Sequence, residues 1–441
     1  MPFSPESLIH TLRGLPAAQR FWVALSGGLD STVLLHALAG RRADLPGELR
    51  AVHVNHGLHP KADDWQWRCE ALCASLGVPI ECRAVRVEPA SGESLEAVAR
   101  ERRYAAFRGL LAPGDLLLLA QHQDDQLETF LLQALRGAGV RGLAAMPEQA
   151  QAHGLHLVRP LLGATRTELE AWARAQGLSW VEDPSNTDTG FDRNYLRHEV
   201  LPRLKARWPG AGETVSRSAR LCAEADGLLR EMAAEDAARY TVVETLPLRA
   251  LRELSVPRAR NLMRHWLQSR RLPLPPAQKL DEILRQAEAR ADRNPCVDWE
   301  GAEVRRYRQR LYALAPVTAA PEGFSLKPGV SHDLGAGLGV LRLVPMAGEG
   351  LRASLCGPAG LAVDFRRGGE SCRPQGRGHA RPLKKWLQEL HVVPWLRDRL
   401  PLLHAGGELL AVAGLFVCEP HAARAGEPGL RIEWLEHPPL R

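Results

Sequence analysis

No two cysteines in this chain stand in C-x-x-C spacing. The eight cysteines, at 69, 73, 82, 222, 296, 356, 372 and 418, are scattered. That excludes a zinc or iron–sulfur framework by spacing, and it suits a reducing compartment where most cysteines are buried as small apolar groups. Also missing is any apolar run of the roughly 18 residues that span a bilayer, so no membrane is expected as a partner. Residues 1–15, MPFSPESLIHTLRGL, lack a charged stretch followed by an apolar one, so no signal peptide is expected and the chain reads as cytoplasmic. There is no G-x-x-x-x-G-K-[ST], which excludes a Walker-type phosphate loop. The G-x-G-x-x-G at 137–142 follows a helical stretch instead of a strand, so it lacks the context of a dinucleotide fingerprint.

What is present describes a globular protein of two or three domains: 441 residues, 45% hydrophobic and 24% charged. The net charge is +6, from 57 basic and 51 acidic residues. Residues 366–400 hold nine Lys/Arg against three Asp/Glu, which is +6, so the rest of the chain sums to zero. Such a block can bind phosphate backbones; a solvated face of an Arg-rich protein is the alternative.

Residues 21–25, 51–55, 79–87 and 116–120 read as strands, and 31–38, 62–76, 93–111 and 126–135 as helices between them. The last strand, LLLLA, does not alternate, as expected of a parallel strand buried on both faces. This predicts a doubly wound α/β domain with a parallel, Rossmann-like sheet over 1–210. Thr165 and Glu168 form a capping box opening a further helix. Long helical patterns at 213–239 and within 251–290, then short strands near 296–314, predict a mostly helical middle domain over 211–318. A Pro/Gly/Ala-rich stretch at 316–329 reads as a linker. Residues 330–441 read as a small α+β domain with one helix near 381–391.

The sharpest motif is Ser26-Gly27-Gly28-Leu29-Asp30-Ser31, set between a strand and a helix. Two glycines permit a tight turn and close approach to a ligand, the helix N-terminus offers unpaired N–H groups to an anion, and Ser26 and Ser31 add hydroxyls. This is the S-G-G-x-D-S pattern of a pyrophosphate-binding PP-loop; an ordinary glycine turn with a capped helix is the plainer reading. The second motif, His122-Gln123-Asp124-Asp125-Gln126-Leu127-Glu128-Thr129, directly follows the strand LLLLA. Ligands of open α/β sheets bind at the carboxyl ends of strands, where these carboxylates could hold Mg²⁺ against ATP phosphates, or an amino group. Asp125 and Glu128, three apart, share a helix face. His53, His56 and His59 stand at spacing three across a glycine turn; we expect His56 beside the nucleotide and no bound transition metal. Trp386 and Trp395 flank the basic tract and could stack on bases, although packing of a small domain is the favoured reading.

Together these motifs, with Arg136–Leu143 (RGAGVRGL), resemble the tRNA(Ile)-lysidine synthetase family of N-type PP-loop ATP pyrophosphatases; the sulfur-inserting tRNA 2-thiocytidine synthetases share part of the pattern. Further matching pieces are Val54-Asn55-His56-Gly57-Leu58, Ala99-Arg100 with Arg103-Tyr104, Arg159-Pro160-Leu161, Asp183-Pro184-Ser185-Asn186 followed by Arg193-Asn194 and Arg197, and a C-terminal tract from Cys372 to Gln388. The resemblance implies ATP with Mg²⁺ and lysine as substrates, and tRNA(Ile) with a CAU anticodon as partner, in a possible homodimer. It implies nucleotide binding by Ser26, Gly27, Gly28, Leu29, Asp30, Ser31, His56 and His122. It also implies tRNA binding by Arg100, Arg103, Asn186, Arg193, Asn194, Arg197, Arg373, Arg377, Lys384 and Lys385, with Arg381 beside them. Exchange of a carbonyl oxygen for an amine needs a good leaving group, supplied by adenylation, and a deprotonated amine. Asp30, Asp125 and Glu128 are the candidates to orient the amine and accept its proton. The competing readings are another PP-loop enzyme, such as a tRNA thiolase or small-molecule amidase, and a non-catalytic RNA-binding protein.

Overall fold

The computed structural model describes residues 3–16, 18–90, 94–287, 295–316, 319–335 and 337–441. The chain divides into two compact units, Met1–Leu228 and Leu229–Arg441. In chain order the first unit contains α1 (Pro5–Arg13), β1 (Arg20–Ala24), α2 (Leu29–Ala39), β2 (Glu48–Asn55), α3 (Ala62–Leu76), β3 (Ile80–Ala84), α4 (Leu95–Arg108), β4 (Leu116–Leu118), α5 (Gln123–Leu135), α6 (Val140–Leu143), β5 (Gln149–Ala152), β6 (Leu155–Val158), α7 (Arg166–Ala175), α8 (Asp192–Tyr195) and α9 (Leu201–Arg207). The helix α10 (Ala211–Arg239) contains the boundary between the units.

The six strands form one sheet in the order β3-β2-β1-β4-β6-β5. All neighbours are parallel except β5 with β6. Phe21, Trp22 and Val23 of β1 and Leu116, Leu117 and Leu118 of β4 are buried, the pattern of strands covered on both faces. The chain winds outward from β1 to β3, then returns to β4 on the other side of β1. Between β1 and β4 the strand order therefore reverses, and the loops leaving their carboxyl ends flank one crevice. Asp115 fixes this junction from below: its buried carboxylate accepts from Arg20 Nε (2.9 Å), Trp22 Nε1 (3.1 Å) and the Ala112 amide (3.0 Å), tying the start of β4 to β1.

Two local expectations shift. The helix expected over 126–135 begins at Gln123, because His122 caps it and draws Gln123–Asp125 into its first turn. The strand expected over 79–87 ends at Ala84.

In the second unit, Thr245–Pro247, Arg310–Leu314, Ala302–Tyr307 and Cys296–Trp299 form a four-stranded sheet in that order. Its antiparallel pairs share an apolar core with the helices Leu248–Glu253, Val256–Ser269 and Ala277–Ala287 around buried Trp266. The region is thus helices on a small sheet. Further along, a five-stranded and a four-stranded sheet enclose a second core. Tyr312 and Leu314 belong to that core, together with Leu326, Leu387 and Trp434. The expected linker at 316–329 is accordingly not free chain: Phe324–Leu326 pairs antiparallel with Leu361–Phe365, and Leu326 is buried. A three-residue alternation between prolines and glycines is too short to outweigh its composition. Val317 and Thr318 of that stretch lie outside the described residues. No helix among the described residues is long and apolar enough to cross a membrane.

Candidate active site

The phosphate loop is built where β1 ends. Gly27 has φ +84°, and a Cβ there would meet Cys69 Sγ at 3.0 Å, so this position requires glycine. Gly28, at φ −74°, is the N-cap of α2 and needs no unusual backbone. Ser31 Oγ accepts from the Ser26 amide (3.2 Å), donates to the Gly28 carbonyl (3.2 Å) and lies 3.0 Å from Ser26 Oγ, which locks the loop to the helix's first turn. The Val181 amide donates to the Gly27 carbonyl (2.9 Å) from outside. The first-turn amides at Leu29, Asp30 and Ser31 have no partner within the helix, leaving them directed at the crevice end for an anion.

The acidic motif meets this loop across the reversal point. His122 Nδ1 accepts the Asp124 amide (3.2 Å), while Asp125 Oδ2 accepts the His122 amide (3.0 Å). That cap turns Nε2 toward Asp30 Oδ2 (3.6 Å) and Asp125 Oδ2 (3.4 Å). Glu128 is fully buried and accepts from Arg193 Nε (2.7 Å), Arg197 Nε (2.7 Å) and Arg197 Nη2 (2.9 Å). Asp125 Oδ1 accepts from the same two guanidiniums at 3.0 and 3.2 Å. Arg197 lies in a wide π-helical turn, Leu196–Val200, which follows α8. Asp124 is paired with Lys205 and accepts the Arg166 amide (2.9 Å), joining α5 to α9 and to the capped start of α7. Arg166 Nη1 in turn lies 3.4 Å from Asp30 Oδ2.

Charge sets the protonation states. Burial alone would raise the Asp30 pKa; the hydrogen bond and charge of His122, with Arg166 and Arg197, outweigh it and lower the pKa. Burial would lower the His122 pKa, but its bond to Asp30 and the charges of Asp125, Asp30 and Asp124 raise it. Asp124 is likewise lowered against burial, chiefly by Lys205. Asp30 Oδ1 is buried with no hydrogen-bond partner among the described residues.

Beside the loop, a cavity of about 300 Å³ is lined by Ala24–Ser26 of the first strand's end, Val52–His59, Arg103, Phe107 and Asp183. Its size and apolar walls suit a nucleoside. Burial, with the charge of Arg103 and the neighbouring His53, pushes His56 down to about 4, so the imidazole is neutral at pH 7. Its Nδ1 is buried without a partner among the described residues. Asn55 shapes this wall, accepting the Gly57 amide (2.9 Å) and donating to Asp63 Oδ1 (2.9 Å). The three histidines diverge: His53 Nδ1 donates to the Leu25 carbonyl (2.8 Å), and His59 stacks on Trp65. Cys69 and Cys73 are buried beneath the loop, and burial pushes both thiols up to about 12, leaving them as packing groups.

Known proteins are similar to this chain along nearly its whole length. Residues 6–204 match the family model of the PP-loop domain, 246–312 that of the TilS substrate binding domain, and 361–434 that of the TilS substrate C-terminal domain. A tRNA(Ile)-lysidine synthase of Coxiella burnetii is 41% identical over 435 residues, covering 98% of this chain and 96% of that one. The chain belongs to the tRNA(Ile)-lysidine synthase family. Members from Alkalilimnicola ehrlichii and Pseudomonas aeruginosa are each 45% identical, covering 99% and 98% of this chain and 98% of theirs.

Against that family frame, the first unit brings Ser26–Ser31, His122, Asp125 and Glu128 together, with His56 lining the adjoining cavity beside Arg103. Arg193 and Arg197, expected on RNA, are bonded to Asp125 and Glu128, though 40% and 26% of their side chains remain exposed. Asn194 donates to the Asp188 carbonyl (2.8 Å), and the Asn186 carbonyl contacts His198 Nε2 (2.8 Å), so both help to hold their loop. Arg100 is exposed and lies over the Tyr104 ring at 5.2 Å. In the second unit, Lys384 and Lys385 are exposed on the helix Leu383–Glu389, whose Leu383, Trp386 and Leu387 are buried. Arg377 and Arg381 share Glu389 and lie over the Trp386 ring, and Arg373 pairs with Glu419. Trp386 and Trp395 are core residues, not stacking platforms. Arg166 and Lys205 escaped the sequence reading, because neither lies in a motif and only the fold brings them to Asp30 and Asp124.

The paired shifts give the site a pH signature. Asp30, lowered from 3.8, contributes stability that is present above that value and lost as pH falls through its folded pKa. His122, raised from 6.5, contributes stability that is present below 6.5 and lost as pH rises through its folded pKa. The unfolding free energy that Asp30→Asn removes, measured by urea titration, should be largest between about pH 4 and 6.5 and shrink toward pH 8. A difference that grows above pH 7 would contradict the pairing.

Proposed function

We propose that this chain ligates lysine to C2 of the wobble cytidine of tRNA(Ile) bearing a CAU anticodon, through an adenylated tRNA, releasing pyrophosphate and AMP. The observation that carries this reading is the junction of an intact phosphate loop with a balanced cluster of carboxylates and guanidiniums, in a chain with full-length relatives named tRNA(Ile)-lysidine synthase. In the first step the cytidine O2 attacks the α-phosphorus of ATP; an O–P bond forms, the Pα–O–Pβ bond breaks and pyrophosphate departs. The loop amides and the Ser26 hydroxyl are suited to hold that anion, with Ser31 bracing the loop through the Gly28 carbonyl. In the second step the lysine ε-amine attacks C2; a C–N bond forms, the C–O bond breaks, AMP leaves with the electron pair and the amine gives up its proton.

Lysine arrives as an ammonium, with an ordinary pKa of about 10.4, and must be held and deprotonated. Both oxygens of Glu128 are occupied by Arg193 and Arg197, so its part is to position those cations. Their exposed edges suit the lysine carboxylate or an RNA phosphate. Asp30, ionised and with one oxygen unpartnered, is the carboxylate suited to an ammonium, or to Mg²⁺ carried by the ATP phosphates, since Mg²⁺ commonly takes one or two carboxylates beside phosphate oxygens. Mg²⁺ held there by Asp30 would supply positive charge to the leaving pyrophosphate. In this reading residues 1–210 are the catalytic domain, while 211–318 and 330–441 engage tRNA, in the cytoplasm where charged nucleotides and tRNA are found together.

Incubation with ATP, Mg²⁺, radiolabelled lysine and tRNA(Ile), followed by nucleoside analysis, should give label in one modified cytidine. Asp30→Ala should abolish AMP formation while tRNA affinity stays within about twofold. Sulfur incorporation, or no lysine-dependent AMP with the correct tRNA, would overturn the assignment.

The C-terminal lysines generate a separate expectation. Lys384 and Lys385 make no ion pair among the described residues, unlike Arg373, Arg377 and Arg381. Phosphate contacts release counterions, so Lys384→Ala with Lys385→Ala should weaken full-length tRNA binding and lower its salt slope by roughly one to two units. Activity on a minimal anticodon stem-loop should change little. Unchanged affinity and slope would mean that these lysines do not touch RNA.

A further inference from the structure

Four permanent cations surround the loop and acidic helix, and they are held to very different degrees. Arg193 and Arg197 each bind two carboxylates, and Lys205 is paired with Asp124. The guanidinium of Arg166 has one polar contact among the described residues, Nη1 to Asp30 Oδ2 at 3.4 Å, and 43% of its side chain is exposed.

Its anchorage contrasts with this loosely held head. Arg166 is the first residue of α7, after the N-cap Thr165. Thr165 and Glu168 satisfy each other's amides through the capping box, and the Arg166 amide itself donates to Asp124 Oδ2 (2.9 Å). Asp124 is fixed in turn by Lys205. The main chain is thus bolted to the start of α5, and the side chain reaches back across the reversal point to the second residue of α2. The Arg166 and Glu168 amides of α7 are taken by Asp124 and by the Thr165 cap, and the Arg166 guanidinium is the side-chain donor by which this helix reaches the loop.

Asp30 creates the need for such a group. A carboxylate in the first turn of the phosphate-binding helix repels the anion that the turn attracts. Among the described residues, His122 on one side (3.6 Å) and Arg166 on the other (3.4 Å) are the basic side chains in ion-pair contact with Asp30. His122 is 1% exposed and committed to capping α5, whereas Arg166 stands at the rim with most of its five donors uncommitted.

We propose that Arg166 is a pyrophosphate-contacting catalytic residue: its guanidinium binds the β- and γ-phosphate oxygens of ATP and neutralises the charge that gathers on them as the Pα–O–Pβ bond breaks. The inference rests on the adenylating reading above. The guanidinium stays protonated throughout, and no proton passes through it. A planar fork matches two phosphate oxygens at once, which a lysine cannot do.

The test is equilibrium binding by calorimetry on the full-length protein, with inorganic pyrophosphate and AMP as separate probes, for the unsubstituted chain, Arg166→Met and Arg166→Lys. Arg166→Met should raise the Kd for pyrophosphate about tenfold or more while the Kd for AMP stays within about twofold, the loss expected for a charge-assisted bond to phosphate. Arg166→Lys should recover part of the pyrophosphate affinity, and it serves as the test if the Met variant does not fold. Pyrophosphate affinity unchanged in the folded variants would overturn the proposal. So would an equal loss for both probes, because Arg166 would then act only by shaping the loop through Asp30. If the unsubstituted protein bound neither probe, the adenylating function itself would fail, a result distinct from both.

Discussion

The contact between Asp30 and His122 is the constraint on which the rest of the site depends. Ninety-two positions separate these residues in the sequence, and the sheet order β2-β1-β4 makes them neighbours. A carboxylate this enclosed needs a positive partner or it takes up a proton. His122 lowers the Asp30 pKa, together with Arg166 and Arg197, and also caps α5, so one side chain bears on both the protonation of the phosphate loop and the start of the acidic helix. Asp125 meets both His122 and the guanidiniums of Arg193 and Arg197, and Arg166 meets Asp30, which links the pair to the other charged groups of the crevice.

The balance extends outward. Asp30, Asp124, Asp125 and Glu128 face Arg166, Arg193, Arg197 and Lys205, four carboxylates against four permanent cations, with His122 in the middle. Buried ion pairs are poor sources of net stability, since desolvation offsets much of their attraction. Their value here is geometric. Arg193 and Arg197 come from the segment after the 183–190 loop, and Lys205 comes from α9. Their bonds to Asp125, Glu128 and Asp124 draw that distant stretch onto the start of α5. The same arrangement leaves the exposed edges of Arg193, Arg197 and Arg166 facing outward, a suitable rim for an enzyme whose proposed substrates are ATP, an amino acid and a polyanion.

Much of this was legible in the sequence. The phosphate loop announced itself through two glycines and two serines between a buried strand and a helix, a local pattern with a local cause. The acidic motif was readable because it follows a strand without alternation, and parallel sheets present their ligands there. What stayed hidden was long-range. The bonds of Arg193 and Arg197 to the acidic helix were not readable, since nothing nearby in sequence reveals that Glu128, buried 65 positions before Arg193, is held by two guanidiniums. Arg166 and Lys205 carry no motif at all. For Trp386 the favoured reading, packing, agrees with the structure: its indole N–H donates to the Cys372 carbonyl and its ring lies beneath Arg377 and Arg381. Phe324–Leu326 vanished into a proline-rich stretch because composition spoke louder than three alternating residues.

The order of events at this junction tests the account most directly. With tRNA(Ile), ATP and Mg²⁺ but no lysine, rapid-quench analysis should show a burst of pyrophosphate approaching one per active site, with AMP still attached to the tRNA. Addition of lysine should then release that AMP in a single phase. Pyrophosphate that appears only after lysine is added, or AMP freed while lysine is absent, would contradict activation of the tRNA carbonyl as the step this site is built to perform.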